Sequence, residues 1–454
     1  MANYTRHPAS FKDPSGFVFE ANGKIHRQVN RVYSDEYDLL MSSGLYERLV
    51  QQRLLISHVE IEENITQTEN WYKTLLPEQI AFVSYAYEWC FEGLKDAALL
   101  TLQTLRTSLD YGMIIKDATP FNIQFHQGKP IFIDTLSFEK YNPLQPWVAY
   151  RQFCQHFLFP LYLEYYLKAD LQKTLTTYMD GIPVEITSKL LPLKSNLSLG
   201  VWLHVYTQNT FRHSTTTKAE QIRFNKKKLL NLISHLESII KKFVVRKSTT
   251  WSNYYEETIL GKEYLVNKEK LFLQFCEGVT VSTALDIGAN EGYFTKLLAQ
   301  RNIHVVATDT DSRTIGNLYQ FVKKNDIRNV LPLILDVTNP SPALGFNNNE
   351  RPAFHDRVKA ELVVALALVH HLVIGKNISL GMIAEYFSRI SPQLLIEFVP
   401  KDDEKVQEML ASRKDVFADY NIENFENHFE QYFNTLKKGK IEGTNRILYL
   451  LKRK

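Results

Sequence analysis

Apolar and polar positions change period twice along this chain. In the first seventy residues the apolar runs are short. "FVFEANGKIHRQV" places Asn22-Gly23 between two extended runs, the signal of a two-residue hairpin turn. Residues 11–70 together predict short strands and a helix. From Pro77 to Asp110 the period lengthens: Leu94, Ala97, Ala98, Thr101, Leu102 and Leu105 recur at helical spacing, and Gly112 stops the helix. A second hairpin, "IIKDATPFNIQFHQGKPIFIDTLSF" (114–138), and an aromatic helical stretch, "WVAYRQFCQHFLFPLYLEYYL", follow. Leu229, Ile233, Leu236, Ile240 and Phe243 then form one apolar stripe on a further helix.

The second half alternates. "STALDI", "IHVVAT", "NVLPLIL", "AELVVALAL" and "QLLIEFV" read as strands, with helical sequence between them, and "FNTLKKGKI" with "NRILYLLKR" as a closing antiparallel pair. Apolar strands alternating with helices predict an α/β unit with a parallel sheet covered on both faces.

Composition narrows this picture. At 454 residues the chain is long enough for two or three domains, and 44% hydrophobic and 12% aromatic content marks it as globular. A formal charge of +3 gives no whole-chain case for binding nucleic acid or an anionic membrane. Between 220 and 247, eight basic residues face two acidic ones. One charged helix is a solvated face of a packed connector before it is a nucleic-acid interface. Cys90, Cys154 and Cys276 form no CxxC pair, which excludes a cysteine zinc cluster and a disulfide framework and suits a reducing cytoplasm. The N-terminus lacks the apolar core of a signal peptide, and "ELVVALALVHHLVIG" is too short to span a membrane.

The stretch "LDIGANEGYF" sits where the first strand of the second half turns into its first helix. Gly288 and Gly292 let the backbone approach a ligand, beside a helix N-terminus with free N–H groups. Asn290 breaks the GxGxxG dinucleotide pattern. Asp286 suits a cationic amino-acid ligand rather than a pyrophosphate. Asp309, ending the second strand, can accept from both hydroxyls of a ribose. Asp336, after the third, can accept from an adenine amino group. Each aspartate alone could be a helix N-cap.

These residues resemble those of the class I S-adenosylmethionine-dependent methyltransferases, over about residues 265–454. The resemblance implies a Rossmann-like sheet with an antiparallel terminal pair, and S-adenosylmethionine as cofactor. It places His370 and His371 at the fourth strand's end, facing the transferred methyl group, where a neutral imidazole suits a base for a hydroxyl or weakly acidic N–H. Neighbours on a strand point apart, so one of the two should reach the substrate. The alternative is that both are structural. Glu397 ends the fifth strand and could orient a histidine, bind the acceptor or be solvated. No metal constellation is evident in this half. Trp251, Tyr254 and Tyr255 could form an aromatic lid or pack between domains. Together "IIKDATPFNIQF", "DIGANEGYF", "VHHLVI" and "EFVPKDD" resemble a bacterial group of nodulation-type methyltransferases over nearly the whole chain.

The 114–138 hairpin resembles the D-x-x-P-x-N loop and metal-binding aspartate of protein kinases and aminoglycoside-type phosphotransferases. That resemblance implies an α+β kinase-like domain in which Asp117 orients an acceptor hydroxyl and Asn122 with Asp134 holds Mg²⁺ for ATP. Ile115 stands where the usual histidine would be, and no glycine-rich phosphate loop appears in the first hundred residues. The anchoring cation is Lys24 or Arg27. Alternatively, Asp117 and Asn122 only tie the loop together.

The expected organisation is a kinase-like domain at 1–215, a basic connector with aromatic lid at 216–264, and a methyltransferase domain at 265–454. The expected protein is cytoplasmic, with no membrane span, no nucleic-acid partner and a small-molecule or protein methyl acceptor. A phosphotransferase or bifunctional enzyme is the alternative, and a non-catalytic ligand-binding scaffold the third reading.

Overall fold

The computed structural model describes residues 4–211, 225–244, 261–411 and 414–454. Trp251, Tyr254 and Tyr255 lie outside the described residues. Backbone contacts divide the chain into two compact units, Met1–Arg246 with Ala343–Pro352, and Lys247–Pro342 with Ala353–Lys454.

The first unit opens with a five-stranded antiparallel sheet in the order β1-β2-β3-β5-β4: β1 Tyr4–Arg6, β2 Gly16–Ala21, β3 Lys24–Asn30, β4 His58–Ile61 and β5 Trp71–Pro77. The Asn22-Gly23 turn joins β2 to β3 with both residues at positive φ, +52° and +70°, as a type I′ turn needs. Two helices, α1 Ser34–Ser42 and α2 Leu45–Gln51, separate β3 from β4. The expected helix starts later than Pro77. Pro77 ends β5, a capping box closes at Tyr85 and Glu88, and α3 runs Phe91–Asp110, because the apolar stripe begins only there. The second hairpin is β7 Ile123–His126 with β8 Lys129–Phe132, flanked by β6 Met113–Ile115 paired with β9 Phe138–Lys140. Helices α4 Phe159–Leu167, α5 Val184–Leu190 and α6 Lys226–Lys242 follow. The stripe on α6 is buried, and Arg106 of α3 reaches Glu237 at 3.2 Å. The helix set apart in the sequence as a connector is thus counted with the first unit.

The second unit is a seven-stranded sheet in the order β12-β11-β10-β13-β14-β16-β15. Its elements are α7 Gly261–Cys276, β10 Thr283–Ile287, α8 Tyr293–Gln300, β11 His304–Asp309, α9 Ser312–Lys324, β12 Val330–Ile334, β13 Leu362–Ala365, α10 Leu380–Ile390, β14 Gln393–Phe398, β15 Phe433–Lys440 and β16 Ile447–Arg453. β10 to β14 run parallel, while β16 pairs antiparallel with both β14 and β15. β10, β13 and β14 are buried along nearly their whole length, as in a parallel sheet covered on both sides. Phe272 and Phe275 of α7, with Phe294 and Leu298 of α8, pack on Ala284, Val364 and Leu450.

One expectation on this sheet is corrected. "AELVVALAL" is extended only over Leu362–Ala365. Ala367 takes φ +50°, the chain leaves the sheet, and His370 and His371 stand on the helical turn that follows rather than at a strand end. Among the described residues no helix is long and apolar enough to cross a membrane.

Candidate functional site

Parallel register brings the carboxyl ends of β10, β11 and β12 to one edge, with Asp286 opposite Ala307 and Asp309 opposite Ile334. The loop from β10 to α8 passes through three left-handed residues: Gly288 (φ +78°), Asn290 (+51°) and Gly292 (+75°). Asparagine tolerates this region better than most side chains, so the missing glycine leaves the loop geometry intact. The Gly288 and Ala289 N–H groups donate to the Thr308 carbonyl at 2.8 and 2.9 Å, and the Asn290 N–H donates to Asp309 Oδ2 at 2.9 Å. Gly292 is the N-cap of α8 and offers it no side-chain hydrogen bond.

A Cβ on Gly292 would stand 2.5 Å from Leu318 Cδ1 and would also have to hold a positive φ. Gly292→Ala is therefore expected to destabilise the protein by about 1–2 kcal/mol. The shift of the chemical-denaturation midpoint measures it, with Gly443→Ala as the comparison, since open space surrounds that glycine.

The three aspartates differ in what already occupies them. Asp286 is buried, accepts from the Thr295 hydroxyl at 2.6 Å, and is pushed up to about 6 by burial. Asp309 accepts from Asn290 N–H and, at 3.0 Å, from Asp311 N–H; burial raises it as well. Asp336 accepts from the N–H and hydroxyl of Thr338 at 2.9 and 2.6 Å, bracing the turn after β12.

Beyond β13 the two histidine rings lie against each other, centroids 4.1 Å apart. This corrects the expectation that they point apart: successive side chains on a helical turn are rotated by about 100° rather than set on opposite faces, and here the two rings meet at an interplanar angle of 38°. His370 is buried and its Nδ1 has no hydrogen-bond partner, whereas His371 is half-buried. Burial holds His370 well below the ordinary imidazole range, with His371, Arg446 and Lys268 adding to the effect. Burial and then Arg446 lower His371.

Glu397 is neither solvated nor hydrogen-bonded to a histidine. It is fully buried, with Oε2 2.6 Å from Lys268 Nζ and accepting from Ala367 N–H at 2.9 Å, and Oε1 accepting from Tyr264 O–H at 3.0 Å. Arg446 lies 3.6 Å away, donates to Tyr264 at 2.8 Å, and forks onto both oxygens of Asp403 at 2.7 and 2.9 Å. Burial pushes Glu397 up, but Lys268 and Arg446 outweigh it and hold the carboxyl below the usual range. The bond to Ala367 anchors the departure from β13, and the two cations bear on the histidines.

Sequence reasoning missed Lys268, Arg446, Tyr264 and Asp403. A signal existed for Lys268. Tyr264, Lys268 and Phe272 follow at four-residue spacing, so the lysine sits on the apolar stripe of α7, where an unpaired charge would be costly. Arg446 precedes β16 in a loop and carries no such signal.

In the first unit, Asp117 accepts from Thr119 N–H at 3.2 Å; burial, and then Asp134, raise it. Asn122 Nδ2 donates to the Ser137 hydroxyl at 3.2 Å. Asp134 takes hydrogen bonds from the Ser137 hydroxyl and, at 3.1 Å, Leu136 N–H, and forms an ion pair with Arg27 of β3. Arg27, not the exposed Lys24, reaches this acid. Both Asp134 oxygens are thus engaged by groups of the same unit. The arrangement does not fit the Mg²⁺ site that the hairpin's resemblance implied. Calorimetric titration of the whole chain with ATP–Mg²⁺ is expected to give no heat. A metal-dependent heat that Asp134→Asn abolishes would overturn this reading.

A parallel sheet in this order, closed by an antiparallel pair, with a left-handed loop between its central strand and the helix after it, is the topology of the class I S-adenosylmethionine-dependent methyltransferase fold. The chain belongs to the family of the nodulation protein NoeA of Rhizobium meliloti (strain 1021): the two are 31% identical over 460 residues, covering 99% of this chain and 96% of that protein. No family model matches the chain. Similar solved structures include PH0226 from Pyrococcus horikoshii OT3 (17% identical, 44% of this chain and 99% of that one, TM-score 0.33). The N-methyltransferase NodS from Bradyrhizobium japonicum WM9 is another (13% identical, 42% and 97%, TM-score 0.32). The bifunctional kinase-methyltransferase WbdD is a third (16% identical, 42% and 38%, TM-score 0.27). At these TM-scores none of the three bears on function.

Proposed function

We propose that the second unit binds S-adenosylmethionine along the carboxyl edge of β10 to β12 and transfers its methyl group to an oxygen or nitrogen of a small-molecule acceptor. The carrying observation is the left-handed loop at Gly288, Asn290 and Gly292, tied through Asn290 N–H to the carboxylate of Asp309. In this reading Asp286 receives the amino group of the methionine portion, Asp309 the ribose hydroxyls and Asp336 the adenine amine. The residues suit that ligand. Asp286 is a buried acid with one oxygen hydrogen-bonded to Thr295, and a ligand ammonium would stabilise its ionised form. The cofactor supplies an electrophilic methyl group. The chain supplies alignment, exclusion of water and a neutral His370 whose free Nδ1 takes the acceptor's proton, with His371 packed against it. Glu397 acts on neither reactant and holds Lys268 and the Ala367 turn.

Asp309→Ala tests the cofactor seat. It removes the ribose acceptor and leaves β11 paired, so binding of S-adenosylmethionine should weaken by roughly 1.5–3 kcal/mol in calorimetry. An unchanged affinity would remove Asp309 from the site.

A further inference from the structure

Between Gly181 and Phe211 the only acidic residue is Glu185, one of whose carboxylate oxygens is buried. The stretch folds as α5, a 3₁₀ turn Leu193–Leu197, a short turn Leu199–Val201 and a π-helical turn Trp202–Tyr206. Its inner side is pinned to the unit. A Cβ on Gly200 would stand 2.6 Å from the Tyr162 hydroxyl of α4 and 2.7 Å from Ile239 Cδ1 of α6. His204 holds the Tyr150 hydroxyl at 2.6 Å and His235 at 3.0 Å. Its outer side carries Leu190, Leu193, Leu197, Leu199, Trp202 and Leu203, all exposed, with Leu193 at 87% and Leu197 at 94%.

Scattered exposed leucines need no explanation, but six large apolar side chains held outward within fourteen residues by an anchored scaffold do. Lys189 and Lys194 are exposed among them, and Lys242 follows Ile239 by one helical turn on α6. None of these three lysines has an ion-pair or hydrogen-bond partner among the described residues, although ion pairs are common elsewhere on the surface.

We infer that this face docks on the surface of an anionic lipid bilayer, without spanning it. Apolar side chains, an interfacial tryptophan, lysines without a partner among the described residues and, between 181 and 211, no exposed acid suit that one occupant. The leucines enter the acyl boundary, Trp202 sits at headgroup depth, and the lysines meet lipid phosphates. The near-neutral charge of the whole chain concealed this, because the lysines act locally, within a Debye length of the surface. A second copy of the chain is the competing occupant.

The test is co-sedimentation of the full chain with phosphatidylcholine vesicles, with and without phosphatidylglycerol. Binding is expected only with the anionic lipid and should fall as salt is raised. Leu193→Ser with Leu197→Ser should weaken it roughly tenfold or more, and Lys194→Gln roughly fivefold. Both positions of the double variant are exposed, so its thermal melting should match the parent. No binding to the anionic vesicles, or equal binding by the double variant, would overturn the proposal. So would a concentration-dependent dimer, in sedimentation equilibrium without lipid, that the same double variant dissolves.

Discussion

Lys268→Met is expected to destabilise the protein by about 3–5 kcal/mol, because it strips the 2.6 Å partner from a fully buried carboxylate. Methionine matches the lysine stem in length, so lost packing contributes little, while the ammonium's place over the Phe294 ring, 5.1 Å from its centroid, is lost with the charge. The remaining support for Glu397 is Arg446 at 3.6 Å, the Tyr264 hydroxyl and the Ala367 N–H, and Arg446 is already forked onto Asp403. Adding Glu397→Gln should restore most of the loss, since an amide oxygen still accepts from Ala367 and carries no charge. Glu397→Leu should restore less, because it leaves the Ala367 N–H buried without an acceptor. The pH dependence follows from the same pair. The folded carboxyl lies below its ordinary 4.5, so its contribution is present above that value and is lost as pH falls through the folded one. In the Lys268→Met variant the carboxyl should rise, and the acid side of the stability profile should move to higher pH. Denaturation midpoints across pH for the parent, the single variant and the two double variants check all of this. A parent-like midpoint in Lys268→Met would mean that the pair is not desolvated as described.

How much of this was legible depends on whether a residue's role is local. The period of the apolar positions marked α3, α6 and the alternating second half, since burial of one helix face or of a whole parallel strand imposes that period directly. Asn22-Gly23 fixed its hairpin because the turn needs two positive φ values. The loop around Gly288 and Gly292 was legible for the same kind of reason. The end of β13 was not. "VVALALVHH" is apolar enough for a longer strand, and what stops it is Ala367 at positive φ, whose N–H donates to Glu397 thirty residues away. Misplacing that end put the histidines on a strand and turned their rings apart. The sequence likewise left Lys24 and Arg27, both on one strand, equally open as a nucleotide anchor. Only the ion pair of Arg27 with Asp134, 107 residues on, shows which acid it meets.

The largest effect expected on turnover comes from the same misread turn. His370→Ala should lower methyl transfer by about a hundredfold or more if the free Nδ1 takes the acceptor's proton. His371→Ala should cost less, acting by removing the ring that supports His370 at 4.1 Å. Both variants should bind S-adenosylmethionine nearly as the parent does, because neither histidine belongs to the loop or to the strand ends assigned to the nucleoside. The pH profile separates a base from a packing residue. Burial, with Lys268 and Arg446 nearby, holds His370 neutral well below pH 6.5. Parental turnover should therefore stay level as pH falls through 6.5, where an ordinary histidine base would be protonated and lost. In Arg446→Met, weaker repulsion should raise the imidazole and bring the acid limb to higher pH, while His370→Ala should show no such limb at any pH. Methyl transfer from labelled S-adenosylmethionine, measured with an acceptor found by screening small hydroxylated and amino compounds, reads these profiles. Equal and small losses from both histidine variants would assign the pair to packing and leave alignment alone as what the protein contributes.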